Sequence, residues 1–386
     1  MKKIVAFFLA LSMAVVMLAG CGASQTPTTT EAPKAETKAA TEAAPAAETE
    51  QKELTIAGIV FKDEFTMKMV QQGYEDAAKD YGVNIVIGNS MGDLANEQQL
   101  VYSYIDMGVD GIAITPYSEE ASIPILKEAY DKANIKLNDA SFVCGGFTSQ
   151  DLLNGQKLGD YTSKYLSDKY GNDLKIAIMD FDATIPEQSK ARYGGFLEKL
   201  TANGVNYEIV AQQSFTDGTK TDFSTQINAI RNSGCDLVFI PIYAAEASVF
   251  LTQAKGKLDG MTIFGCDGLD GLQTKVSDTS MLKGTMMLTP FAVDDPDAKT
   301  QSFVEKFTKV HGSKPDQFAA DAYDAVYAVK AAMESCGKTP ADADFTTAMV
   351  DTMYKITVDG LTGTMKWDAD REPDKAAKAM VFNEDG

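Results

Sequence analysis

The sequence contains few of the residues on which most hydrolytic and metal-dependent sites rely. It has one histidine, His311, and one tryptophan among 386 residues. A lone histidine cannot build a typical metal site, and it cannot complete a Ser-His-Asp or Cys-His arrangement from the end of a predicted helix. A cation at that helix end suits the helix dipole instead. No glycine-rich phosphate-binding motif follows a predicted strand. We therefore expect no catalytic residues, no metal and no cofactor.

Basic residues are also few relative to acidic ones. The 35 Lys and Arg residues stand against 55 Asp and Glu residues, so the formal net charge is −20. Such a chain repels nucleic acid and anionic lipid at long range, and its acidic residues are expected to form a solvated surface. Beyond the N-terminal segment, no run approaches the roughly 18 apolar residues that a membrane span needs. We expect no nucleic-acid partner.

The five cysteines include no CxxC pair. Cys235 precedes one predicted strand and Cys266 follows the next, so in a parallel sheet their sulfurs would lie roughly 15–20 Å apart at opposite edges. That separation excludes a disulfide between them. Cys144, Cys235, Cys266 and Cys336 are therefore predicted to be small, buried, apolar residues.

The N-terminal segment has the layout of a secretory signal. Lys2 and Lys3 precede an apolar run that is too short for a membrane span. The run ends in LAGC, which resembles the lipobox of bacterial lipoproteins; the alternative is an ordinary signal with a chance cysteine. The resemblance implies that residues 1–20 are removed and that Cys21 carries two acyl chains, enough for stable anchoring. Residues 21–52, rich in Ala, Thr, Glu and Pro, are predicted to form a disordered tether.

From Leu54 onward, apolar runs typical of buried strands alternate with amphipathic helical segments. In the first part, the strands LTIAGIVF, VNIVIG and DGIAITP alternate with helices predicted over 65–81, 95–107 and 121–132. Further along, the strands LKIAIMDF, YEIVAQQSF, DLVFIPI and MTIFGC alternate with helices predicted over 187–203, 223–232, 245–255 and 272–276. Strands that alternate with helices predict an α/β protein with parallel, doubly wound sheets.

The last part of the chain returns toward the first sheet. Residues 282–291 are predicted to make this crossing, and helical apolar spacing follows over 301–310 and 318–335. The tail from Thr357 alternates like a hairpin, with Gly360 and Gly363 at turns.

Several predicted strands end in a polar or aromatic residue. The run MTIFGCDG stops at Asp267 and the run VFIPIY stops at Tyr243. In open α/β sheets, ligands bind at the carboxyl edge of the strands. An ionised carboxylate there can accept hydrogen bonds from sugar hydroxyls or from an ammonium group. Asp267 is therefore the first candidate ligand contact; the alternative is a helix cap in the turn that follows.

Two family resemblances meet in this chain. The segments VFKDEFTMKMVQQGYEDAAKDYGVNIVIGNS, MGVDGIAITP, FVCGGFTSQD and IPEQSKARYGGF resemble the sugar-type (ribose/galactose-like) solute-binding proteins of ABC importers. The segments TDFSTQINAIRNSGCDLVFIPIY, IFGCDG, PDQFAADAYDAVYAVKAAM and DGLTGTMKWD resemble the leucine/isoleucine/valine-type binding proteins. The first likeness covers residues 54–213 and the second covers residues 214–386. The chain is therefore interpreted as a hybrid of two families that share a bilobal fold.

The resemblance implies a type I periplasmic-binding-protein fold, in which two α/β lobes are joined by a hinge of three crossings and the ligand sits between them. Lobe 1 is expected over 53–143 and 291–375, and lobe 2 over 144–290 and 376–386. Residues 133–142 are several residues shorter than the matching part of sugar-type proteins. This shortening puts the fourth strand of lobe 1, and the ligand contact at its end, in doubt.

The resemblance also implies residues at the ligand site. Asp267 would mark the cleft in both families. Tyr243 matches an aromatic residue that leucine-type proteins place over the ligand. Phe65 corresponds to an aromatic residue that sandwiches a sugar ring in sugar-type proteins. For Tyr243 and Phe65 the alternative is core packing, and Phe65 shares a helix face with Met69.

An arginine near the sugar contacts of sugar-type proteins matches Arg192, with Lys190 as the alternative in register. A guanidinium can fork two hydroxyls or hold a ligand carboxylate. The other interpretation of Arg192 is an exposed helix cation paired with Glu187 or Glu198.

Five further polar residues stand where the resemblance implies ligand contacts. Thr148, Ser149 and Asp151 lie at the expected first crossing, and Thr115 and Ser118 follow a strand of lobe 1. Ser, Thr and Asp at such positions are also common caps and turn formers, which is the alternative for all five.

Taken together, these features predict a monomeric, exported, lipid-anchored solute-binding protein on the outer face of the cytoplasmic membrane. It would hold a small polar solute between its lobes by hinge closure and deliver it to an ABC permease. The sugar-type features favour a sugar, whereas the leucine-type half around Tyr243 supports an aliphatic amino acid. Two other hypotheses remain: a ligand sensor for a membrane receptor kinase, and a folded protein that has lost its site.

Overall fold

The computed structural model describes residues 54–132, 151–171, 173–339, 342–367, 373, 375 and 377–383. The predicted signal, tether and Cys21 lie outside these residues, as do Cys144 and the shortened segment 133–142. Over the described part, no helix is both long enough and apolar enough to span a membrane.

The first part of the chain forms a three-stranded parallel sheet. Its strand order is β2-β1-β3, and both neighbours pair in parallel with β1. The elements in chain order are β1 (Thr55–Val60), α1 (Phe65–Tyr81), β2 (Asn84–Asn89), α2 (Leu94–Met107), β3 (Gly111–Ile114) and α3 (Glu119–Lys132). We call the part of the molecule built on this sheet lobe 1.

The middle of the chain forms most of a second sheet. The elements are α4 (Asp151–Tyr170), β4 (Leu174–Met179), α5 (Pro186–Ala202), β5 (Tyr207–Gln213), α6 (Ser224–Ser233), β6 (Leu237–Ile240), α7 (Ala244–Ala254), β7 (Thr262–Gly265) and β8 (Met286–Thr289). Short 3₁₀ turns at Asp267–Leu269, Leu272–Thr274 and Thr279–Leu282 connect β7 to β8. We call the part built on this sheet lobe 2.

The chain then returns to lobe 1 and finally comes back to lobe 2. The remaining elements are α8 (Ala298–His311), α9 (Gln317–Ser335), α10 (Phe345–Met353), β9 (Val358–Asp359), β10 (Thr364–Met365) and β11 (Lys378–Val381). The second sheet has the order β11-β8-β7-β6-β4-β5, with β11 antiparallel to β8 and the other pairs parallel. The fold is therefore α/β with two mostly parallel sheets, as the sequence predicted.

Each lobe has its own apolar core, because the strands are apolar on both faces and helices cover them. In lobe 2 the rings of Phe196 and Phe239 stack with centroids 4.5 Å apart. In lobe 1, helices α1, α8 and α9 bury Tyr74, Phe303 and Val326 against the first sheet. Because α8 and α9 follow β8 in the chain but pack on the first sheet, the chain crosses between the lobes after β8.

Most predicted elements are confirmed, and α1 agrees at both ends. The hairpin predicted from Thr357 is present as β9 paired antiparallel with β10. Two helices, α4 and α10, were missed. Helix α4 contains Gly155 and Gly159, which lower helix propensity. Only the packing described below explains why glycine is used there.

The cysteine predictions are partly correct. Cys235 and Cys266 are buried and free, at opposite ends of neighbouring parallel strands. Cys336 is also free but only half-buried, because it caps the C-terminal end of α9. The prediction that it is buried is therefore wrong.

Helices α4 and α5 approach so closely that glycine is required where their backbones meet. A Cβ atom placed at Gly155 would come against the carbonyl oxygen of Arg192, and one at Gly195 would come against the carbonyl oxygen of Leu152. At Gly159 it would lie 2.6 Å from the Cβ of Lys199. These contacts fix the register in which Arg192 on α5 faces the first residue of α4.

Adjacent glycines on α5 give a matched test of this packing. We expect Gly195→Ala to lower the free energy of unfolding by about 1–3 kcal/mol, because the methyl group overpacks the α4–α5 contact. At Gly194, an added Cβ meets no atom within 4 Å. Gly194→Ala should therefore be neutral, or stabilise by up to about 1 kcal/mol through helix propensity. Urea unfolding measures both variants, and equal effects would contradict the close-packing account.

Candidate functional site

The candidate site lies at the carboxyl edge of the lobe 2 sheet. Strand β6 ends at Ile240 and is followed by Pro241 and Tyr243, and Tyr243 is the N-cap residue of α7. The neighbouring strand β7 ends at Gly265 and is followed by Cys266 and by Asp267, which opens a 3₁₀ turn. Because β6 and β7 are adjacent and parallel, their carboxyl ends meet at the same edge.

The side chain of Arg192, on α5, contacts residues at both of these strand ends. Its side chain is 2% exposed. Its Nε donates to Asp151 Oδ1 at 2.6 Å, and its Nη1 donates to the carbonyl oxygen of Pro241 at 3.2 Å. Its Nη2 donates to the Tyr243 hydroxyl at 3.4 Å and lies 3.6 Å from Asp267 Oδ1. The guanidinium carbon is also 4.8 Å from the centroid of the Tyr243 ring. Three strand or helix ends are thus fixed by one cation.

These contacts decide between the interpretations of Arg192. It is not an exposed cation paired with Glu187 or Glu198, because its ion-pair partners are Asp151 and Asp267. Lys190, the alternative in register, is exposed on α5. Asp151, expected at a crossing between lobes, is instead the first residue of α4.

Burial and charge shift the pKa values of this cluster in opposite directions. Burial raises the pKa of Asp267 above its usual value, while Arg192 lowers it and Asp151 raises it. Burial alone would lower the pKa of Arg192, but Asp267, Tyr243 and Asp151 raise it well above its usual value. Burial also raises the pKa of the Tyr243 hydroxyl. Arg192 is therefore a permanent cation that keeps a negative charge on its neighbours favourable.

The two carboxylate oxygens of Asp267 differ: Oδ2 accepts a hydrogen bond, whereas Oδ1 lies 3.6 Å from Arg192 Nη2 without accepting one from a described residue. Asp267 is 5% exposed, and its Oδ2 accepts a hydrogen bond from Gln317 Nε2 at 3.2 Å. Its Oδ1 has no hydrogen-bond partner among the described residues. Buried polar atoms in proteins are usually hydrogen-bonded, so an unpartnered buried carboxylate oxygen indicates a position for a donor from a ligand.

Lobe 1 closes over this site through the start of α9, which sequence reasoning missed. The Gln317 N–H donates to Asp270 Oδ2 at 2.7 Å, and the ring of Phe318 lies 6.3 Å from that of Tyr243. In the sequence, PDQF contributes only to the leucine-type resemblance, and a helix is predicted from Phe318; in the structure Asp316 is the N-cap of α9, and its Oδ1 accepts from Ala319 N. No local pattern distinguishes a capping segment from one that also contacts another lobe.

Carboxylates outnumber cations in the buried part of this region. Burial raises the pKa of Asp270 to about 7 and that of Asp321 to about 6, although Lys375 pairs with Asp321. Burial and the neighbouring Asp270 raise the pKa of Asp316 well above its usual value, and its Oδ2 has no hydrogen-bond partner among the described residues. The region therefore suits hydrogen-bond donors and disfavours an anion.

Phe65 lies at the start of α1, at the edge of the contact between lobes. It is half-buried and packs against the lobe 1 core, as its alternative interpretation proposed. The ammonium of Lys275, from lobe 2, lies over its ring. The preceding residue, Glu64, pairs with Lys220 of lobe 2 at 3.4 Å. Phe65 is thus both a packing residue and part of the surface where the lobes meet.

Of the four remaining predicted residues, two make hydrogen bonds within lobe 1 and two lie outside the residues that the structure describes. Thr115 is hydrogen-bonded to Tyr74, and burial raises the pKa of that tyrosine to about 12. Ser118 acts as a cap, because its Oγ accepts from Ala121 N at 3.2 Å. Thr148 and Ser149 lie outside the described residues. No group of His, Cys, Asp and Glu suited to hold a metal occurs in the described ranges.

A substitution at Arg192 tests the central role of its charge. We expect Arg192→Met to lower the free energy of unfolding at pH 7 by about 3–5 kcal/mol, because it leaves the buried Asp267 and the half-buried Asp151 without their cation. The loss should shrink as the pH falls from 7 to 5, because the folded variant gains a proton on Asp267, whose pKa burial raises. Urea unfolding at both pH values measures this.

The exposed Lys190 on the same helix provides the control. Lys190→Met should change the free energy of unfolding by less than about 0.5 kcal/mol at either pH. A loss of similar size in both variants, or a loss in Arg192→Met that does not depend on pH, would contradict the proposed charge balance.

Comparison with known proteins places this geometry in context. Residues 107–386 match the family model described as periplasmic binding protein. The ABC transporter periplasmic-binding protein YphF of Escherichia coli is 25% identical over 61% of this chain and 75% of its own length. The galactofuranose-binding protein YtfQ of the same organism is 25% identical over 46% of this chain. The match spans little more than half of YtfQ, 57% of its length.

Solved structures share the fold. The branched-chain amino acid transporter substrate-binding protein LivJ of Streptococcus pneumoniae, in complex with isoleucine, superposes with a TM-score of 0.69 and 21% identity. The match covers 87% of this chain and 97% of that one. The two-lobed α/β fold and the family resemblance predicted from the sequence are confirmed. Since the family model matches most of the chain, this protein belongs to the periplasmic binding protein family.

Proposed function

We propose that this protein captures a small aliphatic amino acid between its lobes and delivers it to an ABC importer. The observation that carries the proposal is the unpartnered Oδ1 of Asp267, a buried carboxylate oxygen where the two lobes meet. An ammonium group would give this oxygen the charge-assisted hydrogen bond that it lacks. The fold shared with LivJ, which was solved with isoleucine, supports the same ligand class.

The surroundings of Asp267 suit the rest of such a ligand. The rings of Tyr243 and Phe318, one from each lobe, are half-buried and provide apolar surface for an aliphatic side chain. Arg192 is the fixed cation of the site and offers a charge complementary to a ligand carboxylate. The other buried groups are mainly carboxylates, which disfavour ligands with a net negative charge.

A sugar is the second candidate ligand. The sequence favoured it, and the relative named for galactofuranose points the same way. The observation that supports it is the same set of acceptors and aromatic faces, because hydroxyls can donate to Asp267 Oδ1 and a sugar ring can lie on Tyr243 or Phe318. A sugar, however, has no positive charge to balance the buried carboxylates. We therefore place the amino acid first.

Capture would work by closure of the lobes. Contacts such as Gln317–Asp267 and Glu64–Lys220 join residues from different lobes, so they exist only when the lobes are together. A ligand that contacts both lobes would shift the population toward this closed arrangement.

We further propose the domain boundaries expected from the sequence, with lobe 1 over 53–143 and 291–375 and lobe 2 over 144–290 and 376–386. The separate cores support this division.

Thermal unfolding against a ligand panel tests the ligand class. Residues 52–386 form one compact unit, so a chain over 53–386 is suitable. We expect leucine, isoleucine or valine to stabilise it by about 2.7 kcal/mol at 100 times the dissociation constant. Asp267→Asn should raise the dissociation constant of the amino acid at least tenfold, because the ammonium group loses its charged partner. Stabilisation by monosaccharides alone would establish the second candidate, and no response to either class would overturn the proposal.

Membrane attachment through Cys21 is tested separately. We propose that the mature protein is held at the outer face of the cytoplasmic membrane by acyl chains on this residue. Cys21→Ser should move the protein from the membrane fraction to the soluble fraction and abolish incorporation of labelled fatty acid. Continued membrane association of the variant would rule out this anchor. Ligand-induced stabilisation should be the same in the variant, because the anchor precedes the folded unit.

A further inference from the structure

Gln317 makes contacts with lobe 2 that its position at the start of α9 does not require. It is 1% exposed. Its Nε2 donates to two acceptors of Asp267, the carbonyl oxygen at 2.9 Å and carboxylate Oδ2 at 3.2 Å. Its Oε1 accepts from Thr289 Oγ1 at 3.2 Å, and its backbone N–H donates to Asp270 Oδ2. One residue of lobe 1 is thus bound to three residues of lobe 2.

The surrounding groups fix the orientation of the Gln317 amide. Both partners of Nε2 are oxygen atoms of Asp267: the backbone carbonyl oxygen, which can only accept, and carboxylate Oδ2, which can only accept when the carboxyl group is ionised. A flipped amide would direct Oε1 at these two acceptors and lose both hydrogen bonds. On the other side, Oε1 lies 3.2 Å from the Thr289 hydroxyl, whose single proton also has the Phe291 carbonyl oxygen at 3.0 Å and Asp270 Oδ2 at 3.3 Å as acceptors, so the Asp267 oxygens decide the orientation. The amide therefore has one favourable orientation, with its donor group toward Asp267.

We propose that Gln317 is the positioning residue for Asp267, the carboxylate that binds the ligand. By occupying Oδ2, it leaves Oδ1, which lies 3.6 Å from Arg192 Nη2 without a hydrogen-bond donor among the described residues, as the oxygen that accepts from the ligand. Because Gln317 belongs to lobe 1 and Asp267 to lobe 2, the carboxylate is held in this orientation only when the lobes are closed. The inference deepens the proposed function and, for the ligand itself, rests on it.

The hydrogen bond also has an electrostatic consequence. Burial raises the pKa of Asp267, while donation from Gln317 lowers it. Arg192 on α5 also lowers this pKa, and Asp151 at the start of α4 raises it; Asp270 follows in the same turn. An ammonium ligand binds the ionised carboxylate, so its affinity is lost as the pH falls through the pKa of Asp267. Gln317 thereby keeps the site charged to lower pH.

The substitution Gln317→Met isolates the side-chain contacts. Methionine has a similar length and volume but donates no hydrogen bond, and the backbone contact to Asp270 is retained. The control is Gln301→Met on α8. Gln301 is exposed, and its Nε2 also donates to two backbone oxygens, those of Val293 and Asp295. The control also removes a pair of donated hydrogen bonds, but at an exposed position away from Asp267.

Two measurements on the full chain test the proposal. Carbon-13 NMR titration of labelled aspartates follows the pKa of Asp267 both without ligand and with leucine, which favours the closed lobes, and its signal is assigned as the one that Asp267→Asn removes. Isothermal titration with leucine from pH 5 to pH 8 gives the affinity profile. We expect Gln317→Met to raise the pKa of Asp267, to weaken leucine binding about tenfold at pH 7, and to move the acid loss of affinity to higher pH. Gln301→Met should match the wild type in both.

The outcomes separate this inference from the proposed function. An Asp267 pKa that is unchanged in Gln317→Met both without ligand and with leucine overturns the inference. An affinity loss that is equal at all pH values would mean that Gln317 only supports the fold, which also overturns it. If the Asp267 pKa rises but leucine binds neither protein, the positioning of Asp267 is supported and the amino acid assignment fails.

Discussion

The buried guanidinium of Arg192 is the interaction on which the site depends. It ties the first residue of α4, the end of β6 and the end of β7 to one point of α5, through Asp151, Pro241 and Asp267. A buried cation is costly unless it is paired, so each of these partners is required rather than incidental. In return, the cation lowers the pKa of Asp267, which burial raises. Structure and binding chemistry are therefore coupled at this residue.

Close helix packing places Arg192 where it can do this. Gly155 and Gly195 allow α4 and α5 to touch backbone to backbone, which brings Asp151 within 2.6 Å of the guanidinium. Lobe 1 uses the same device, because a Cβ at Gly73 of α1 would come against the carbonyl oxygen of Ala319. That contact fixes the first turn of α9. In both lobes, glycines that weaken an isolated helix allow a contact that positions a residue of the site.

Polar contacts and an aromatic pair join the two lobes. Gln317 joins Asp267 and Asp270, Lys220 joins Glu64, and the ring of Phe318 lies near that of Tyr243. Polar contacts of this kind exchange readily with water when the lobes separate, so their net contribution to closure is small. A bound solute can therefore decide the balance between open and closed forms.

The sequence alone determined the alternation of strands and helices and the position of Asp267 at a strand end, which follow from apolar periodicity and from the rule that ligands bind at carboxyl edges. The two lobes were implied by the family resemblance. Helix α4 was not predicted, because its glycines oppose helix propensity. Only the close packing of α4 against α5 explains why glycine is used there. The partners of Arg192 and Asp267 were decided by the tertiary structure alone. Asp151 is 41 residues from Arg192, and Gln317 is 50 residues from Asp267. Periodicity carries no information about pairing over such separations, because that pairing depends on how helices and lobes pack.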